Sequence, residues 1–291
     1  TTFLVPRIVL ASGASSLQVV FVLHGGLADM LGEHSTSKHY LQTLKTRIRK
    51  AGIQLGRRWG NASFLVLAEH IMQNIEAKHS SIADLFDWID LPYLFSASST
   101  MSPDISNQLL FAFLGSPRKQ KGYELFEQLA TDVKRRQRQQ NQRVPEFALI
   151  GAYKREGAVF NSDVLYPPSN TKLAPAEYSR FARRAQYFVF PYNPEKYDYT
   201  ASAALLDAFL YERPVIALRS SMFESYFKRF GEIGYLCDTY EDMYQQVVEI
   251  CSHDTLPSEY LNQVEALRRG KDAFNPNRIA EKLADLYKPT D

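Results

Sequence analysis

The chain has 291 residues, of which 45% are apolar, and 34 Lys and Arg face 32 Asp and Glu for a formal net charge of +2. That length and apolar content suit one large or two ordinary domains with packed cores, and the charge balance excludes a nucleic-acid binder defined by bulk composition. Two cysteines, Cys237 and Cys251, make no disulfide framework, so a reducing cytoplasm is the expected location, and no apolar run reaches the roughly 18 residues of a membrane span.

In chain order, "LQVVFVLHGG" (residues 17–26) reads as a buried strand ending at His24. Residues 39–52 then show helical spacing at Leu41, Leu44 and Ile48. From Ser35 to Ala68 there is no acidic residue, whereas Lys38, Lys45, Arg47, Arg49, Lys50, Arg57 and Arg58 are basic and Trp59 is adjacent. Two readings stand. The stretch is a solvated positive face, or it meets an anionic membrane or a phosphate-rich acceptor, where each basic residue is worth about 1 kcal/mol. "ASFLVLAEH" (62–70) is the next strand, with a helix following through Ile71 and Ile75, and the polar "SPDISNQ" around Pro103 is a linker.

Beyond that linker the alternation is regular. "LLFAFLG", "EFALIG", "YFVFPY" and "PVIAL" read as strands, and "KGYELFEQLATDVKRR", "APAEYSRFARRA" and "SAALLDAFLY" as the helices between them. Short apolar strands separated by helices of ten residues or more imply βαβ units and a parallel sheet covered on both faces. The tail, residues 274–289, is an amphipathic helix with Ile279, Leu283 and Leu286 on one face.

Two stretches are chemically suggestive. In "FLGSPRKQKG" a strand ends at Gly115, and a polar loop carrying Ser116 and Arg118 leads to Lys121 at a helix start. Ligands of open α/β sheets bind outside the carboxyl ends of the strands, where a lysine and helix N-terminal amides can hold a diphosphate. A solvated basic turn reads the same way locally. In "TASAALLDAFLYERPVIA", Thr200 or Ser202 can cap a helix whose small Ala203 and Ala204 let an anion approach the first-turn amides. Close packing against a strand would use the same alanines. Asp207, one turn in, faces a ligand hydroxyl or complements the positive helix end.

Taken together, these stretches resemble the C-terminal half of GT-B glycosyltransferases, family 4 and its relatives in particular. The matching residues are Gly115, Lys121, Gly122, Ala208, Pro214, Val215, Ile216 and Ala217, and the similarity extends through "GEIGYLCDTYEDMYQQVVEI". The resemblance implies an α/β chain of GT-B architecture, two Rossmann-like domains with parallel sheets facing a central cleft. Residues 1–106 would form an acceptor-side domain, reduced or incomplete because few residues precede the His24 strand. Residues 107–271 would form the donor domain, and 272–291 a helix crossing back to the first.

It further implies transfer of a sugar from a nucleoside diphosphate to a hydroxyl of a glycan or lipid-linked acceptor, by a hexosyltransferase-type enzyme. No metal and no cofactor beyond the nucleotide-sugar co-substrate are expected, and no nucleic acid. Ser116, Arg118, Lys121, Ser202 and Ala203 would hold the diphosphate, Gly151, Tyr153, Tyr199 and Asp207 the nucleoside, and His24 and Glu69 would be the catalytic candidates. A nucleotide-sugar epimerase on the same fold and a non-catalytic binding module are the alternatives. Three departures mark the chain as divergent: Ser116 replaces an arginine, Tyr199 and Asp207 replace a pair of glutamates, and Glu212 replaces the glycine that would stop the helix in a left-handed conformation.

Overall fold

A computed structural model describes residues 19–23, 27–31, 62–95, 108–152, 161–167 and 173–288. His24, Tyr153 and the basic stretch 38–58 lie outside the described residues. The chain divides into two compact units. One runs to Pro92 and takes in Tyr197–Ala201 and the chain from Ala273; the other comprises Tyr93–Lys196 and Ser202–Asp272.

In the first unit, β1 (Val19–Leu23), β2 (Ala62–Val66) and β3 (Phe86–Trp88) form a parallel sheet in the order β1-β2-β3. Phe64 and Val66 of β2 pack with Leu27 and Leu31 of α1 (Leu27–Leu31) and with Ile71 and Ile75 of α2 (Glu69–Lys78). Leu65 of β2 and Leu67, just beyond the strand, point the other way and meet Ile279. Ile279 belongs to α9 (Pro276–Leu286), which Asn275 starts by accepting the Asn277 amide at 2.9 Å. The sequence puts Leu283 and Leu286 on the same face, yet they stay 37% and 39% exposed, because only the first turn of α9 reaches the core.

The second unit is a five-stranded parallel sheet in the order β5-β4-β6-β7-β8. The strands are β4 (Leu110–Leu114), β5 (Glu146–Ile150), β6 (Tyr187–Phe190), β7 (Val215–Leu218) and β8 (Gly234–Cys237). Every residue of β4, β6 and β7 is buried, which is why these strands read as continuous apolar runs. α3 (Tyr123–Gln139) lays Phe126, Leu129, Ala130 and Val133 on β4 and β5, beside Met243 and Val247 of α7 (Tyr240–Cys251). Full burial of a side chain such as Phe126 contributes roughly 1.5–3 kcal/mol, so this layer stabilises the unit. The remaining helices are α4 (Pro175–Arg184), α5 (Ala203–Tyr211), α6 (Ser221–Phe230) and α8 (Tyr260–Gly270).

Glu212 corrects one expectation. Although it is not glycine, it stops α5 in the left-handed conformation, with φ 54° and ψ 47°. Its carboxylate, only 5% exposed, accepts from Arg268 Nη2 at 2.9 Å and Lys271 Nζ at 2.6 Å. The neighbouring Arg213 is 1% exposed and spends its guanidinium on main chain, donating from Nη1 to the Tyr211 carbonyl at 2.8 Å and from Nη2 to the Arg183 carbonyl at 2.9 Å. A buried arginine is tolerated here because it satisfies carbonyls left over at two helix ends.

Candidate functional site

Strand order fixes where a site can form. From β4 the chain moves outward to β5, then returns to the opposite side of β4 to make β6. Crossovers therefore leave β4 in opposite directions, and the carboxyl ends of β4 and its neighbours open into a crevice. A cavity of about 910 Å³ lies there.

Gly115 and Gly151, the residues after β4 and β5, form its floor. A methyl group on Gly151 would stand 2.2 Å from the Gly115 carbonyl oxygen, so only glycine lets the two strand ends come this close. Ser116 and Arg118 line the cavity from the loop after β4, Ser116 half-buried and Arg118 exposed. Gly122 adopts φ 65° at the start of α3, where any side chain would strike the Pro191 carbonyl oxygen at 1.6 Å. That close approach brings Lys121 to the ends of β4 and β6.

Lys121 Nζ donates to the Leu114 carbonyl at 3.5 Å and lies 5.7 Å from the centre of the Tyr192 ring. Burial, together with Arg118 nearby, brings its pKa down to about 8, and Asp207 opposes the shift. An ammonium ion in this setting gains most from an anion. The Tyr192 hydroxyl lies 3.4 Å from Ser202 Oγ, and Ser202 caps α5 by accepting the Leu205 amide at 3.3 Å. Lys121, Tyr192 and Ser202 thus join the loop after β4 to the start of α5, where Ala203 is exposed.

Asp207 projects from α5 into the cavity. Its Oδ1 accepts from the Tyr93 hydroxyl and its Oδ2 from the Tyr178 hydroxyl at 2.7 Å. Burial pushes the carboxyl pKa up, while these two bonds and Lys121 hold it down. The two phenols rise above their ordinary range, through burial first and Asp207 second. Tyr211 and Ser179, joined hydroxyl to hydroxyl at 2.9 Å, close one wall, and Leu173 and Pro175 give it an apolar portion.

The structure therefore brings Ser116, Arg118, Lys121, Gly151, Ser202 and Asp207 into one region of the second unit. Tyr199 is elsewhere: it is 3% exposed, within the first unit's core, with the Lys78 ammonium 5.7 Å over its ring. Glu69 is the first residue of α2, also in the first unit, and accepts from Gln73 Nε2 at 3.2 Å. Its neighbour His70 is buried, with Nε2 3.1 Å from the Tyr197 carbonyl oxygen and a pKa lowered to about 4 by burial. Asn74 Nδ2 and Lys78 Nζ both reach Asp198, each at 2.8 Å, so α2 holds the connector 197–201 that immediately precedes Ser202.

Sequence reasoning missed Tyr93, Tyr178, Ser179 and Tyr211. The helix carrying Tyr178 was legible, but nothing in its spacing marks that ring as a partner of Asp207, 29 residues on. Among the described residues, no cluster of three or more His, Cys, Asp or Glu could hold a metal ion, and no helix is long and apolar enough to cross a membrane.

Three solved structures share this fold. TarM superposes with a TM-score of 0.58 at 16% identity, over 94% of this chain and 50% of that one. A mutant of S. aureus TarM, solved in complex with Fondaparinux, alpha-GlcNAc-glycerol and UDP, superposes with 0.58 at 15% identity, over 94% of this chain and 51% of that one. A glycosyltransferase from Rickettsia africae ESF-5 superposes with 0.57 at 13% identity, over 93% and 89% of the two chains. The chain spans about half the length of the TarM chains it matches. No protein-family model matches the sequence, and no curated protein sequence does. The fold is that of the GT-B glycosyltransferases.

Proposed function

We propose that this chain transfers a sugar from a nucleoside diphosphate to an acceptor hydroxyl. The observation that carries the reading is Lys121. It is a largely dehydrated ammonium at the carboxyl ends of β4 and β6, linked through Tyr192 to the capped start of α5 and close to a cavity of nucleotide size. In this reading Lys121 and the first amides of α5 hold the diphosphate, with Ser116 and Arg118 at its flank. The nucleoside lies between Gly151 and Asp207, against Leu173 and Pro175. That a protein of this fold was solved with UDP and sugars is consistent with such a donor.

The reaction breaks the bond from the sugar's anomeric carbon to the diphosphate oxygen and forms one to the acceptor oxygen. The acceptor's proton passes to a base, for which Glu69 is the candidate where the reaction inverts, and the leaving diphosphate keeps the electron pair. Positive charge fixed at Lys121 and the amide dipoles of α5 stabilise that leaving group more than the bound donor, which is where rate is gained. The acceptor is a glycan or a lipid-linked saccharide, and the basic stretch 38–58 is the proposed contact with an anionic membrane.

A thermal-shift series with uridine, guanosine and adenosine diphosphates tests the reading. A ligand at a hundred times its Kd adds about 2.7 kcal/mol to the folded state, enough to move the unfolding midpoint by several degrees. One of the three should stabilise the chain, and Lys121→Met should abolish the shift. If none does, or if the shift survives Lys121→Met, the reading is wrong.

A further inference from the structure

Asp207 does more than line the cavity: it consumes the only proton on each of two tyrosine hydroxyls. Tyr93 donates to one carboxylate oxygen and Tyr178 to the other, at 2.7 Å for the latter. A phenol has one O–H and two acceptor lone pairs, so once its proton is committed the oxygen can only accept. Tyr93, Tyr178 and Asp207 all line the same cavity. Together they turn one end of it into a surface of acceptors. The cations, Arg118 and Lys121, belong to the loop after β4.

A surface of fixed acceptors binds groups that bring their own protons. It also rejects an analogue that lacks one of them, because a buried acceptor is then left without a partner. Tyr178 is the phenol carried on a helix. It sits in the first turn of α4, behind Pro175, and its ring lies 6.4 Å from that of Tyr211. Burial keeps the hydroxyl protonated over the whole working range of pH, so its acceptor role does not change with pH.

We infer that Tyr178 is a specificity-determining residue: with its proton held by Asp207, its oxygen selects ligands carrying paired hydroxyl donors, the vicinal diol of a ribonucleoside, over deoxynucleosides. The inference rests on the proposed nucleoside diphosphate site and assigns it a residue and a discrimination that the resemblance does not.

Calorimetric titration of the chain with uridine or guanosine diphosphate and with the matching 2′-deoxy and 3′-deoxy forms tests it. The wild type should bind the ribo form roughly tenfold or more tightly than at least one deoxy form. Tyr178→Phe keeps the ring and removes the acceptor. It should bring that ratio below about threefold by weakening the ribo form while leaving the deoxy form nearly unchanged. Asp207→Asn, of the same shape, keeps one acceptor oxygen and replaces the other with an NH2 donor, so at most one of the two phenol protons stays committed and the ratio should fall, which keeps the test open should Tyr178→Phe fold poorly.

A structural role for Tyr178 would weaken both ligands equally, and an unchanged ratio in folded Tyr178→Phe, or in Asp207→Asn should Tyr178→Phe not fold, overturns the inference. Wild-type binding without discrimination overturns the inference alone. Absence of any nucleoside diphosphate binding overturns the functional reading and the inference with it.

Discussion

Replacing Glu212 by glycine and, separately, by alanine resolves two opposing contributions at the end of α5. The left-handed backbone at Glu212, φ 54° and ψ 47°, costs a residue with a Cβ about 1–2 kcal/mol, which glycine does not incur. Against that, the 5%-exposed carboxylate bonds Arg268 and Lys271 at 2.9 and 2.6 Å. Removing it leaves the 16%-exposed Lys271 ammonium without this partner, whereas Arg268, 51% exposed, is solvated by water and retains Glu265. Loss of a fully buried pair costs about 3–5 kcal/mol, and the exposure of Arg268 brings the expected loss here to about 2–4 kcal/mol.

Glu212→Ala should therefore be about 2–4 kcal/mol less stable than wild type. Glu212→Gly should recover about 1 kcal/mol of that, since its backbone relief is partly offset by the greater freedom of glycine in the unfolded chain. Urea denaturation monitored by circular dichroism measures both values. An alanine variant as stable as the glycine variant would refute the strain argument. Either variant matching wild type would refute the ion-pair argument.

Three further outcomes follow from the same geometry. Lys121 titrates near pH 8 in the free chain, and a bound diphosphate raises that value; nucleoside diphosphate affinity should hold below pH 8 and fall up to tenfold per unit above it, and calorimetry from pH 7 to 9.5 reads the trend. His70 has a folded pKa of about 4 against 6.5 unfolded, so the unfolded chain takes up the extra proton; stability is complete above about pH 6.5 and declines by about 3 kcal/mol as the pH falls to 4, and His70→Gln should flatten that slope in urea titrations at stepped pH. Gly122→Ala sets a methyl group against the Pro191 carbonyl oxygen at a left-handed position, so a loss of about 3 kcal/mol or more is expected by thermal unfolding, and a near-neutral change would mean that α3 does not approach Pro191 as described.

Much of the second unit was legible in the sequence because its strands are buried on both faces. Leu110–Leu114, Tyr187–Phe190 and Val215–Leu218 are uninterrupted apolar runs, and the helices between them carry a 3.6-residue period. The placing of Lys121 and Ser202 on either side of Tyr192 follows from that topology, since parallel strands put every strand-to-helix loop at one edge of the sheet. What escaped were contacts made between distant positions. Tyr93 and Asp207 are 114 residues apart, and no periodic signal couples a tyrosine in an extended segment to a carboxylate on a helix. Glu212 and Arg213 read as surface residues by type, yet are 4% and 1% exposed, because ion pairs and helix-end carbonyls supplied by the fold satisfy them. β3, only three residues long, lies below the length at which alternation can be read.

One claim is central: that the crevice at the ends of β4 and β6 binds a nucleoside diphosphate. A crystal structure of the chain with its best-binding nucleoside diphosphate tests this directly. Phosphate oxygens are expected within hydrogen-bonding distance of Lys121 Nζ and the first amides of α5, with the ribose hydroxyls on Asp207 and Tyr178. A nucleotide bound away from Lys121, or a crevice still empty at saturating ligand, would contradict it.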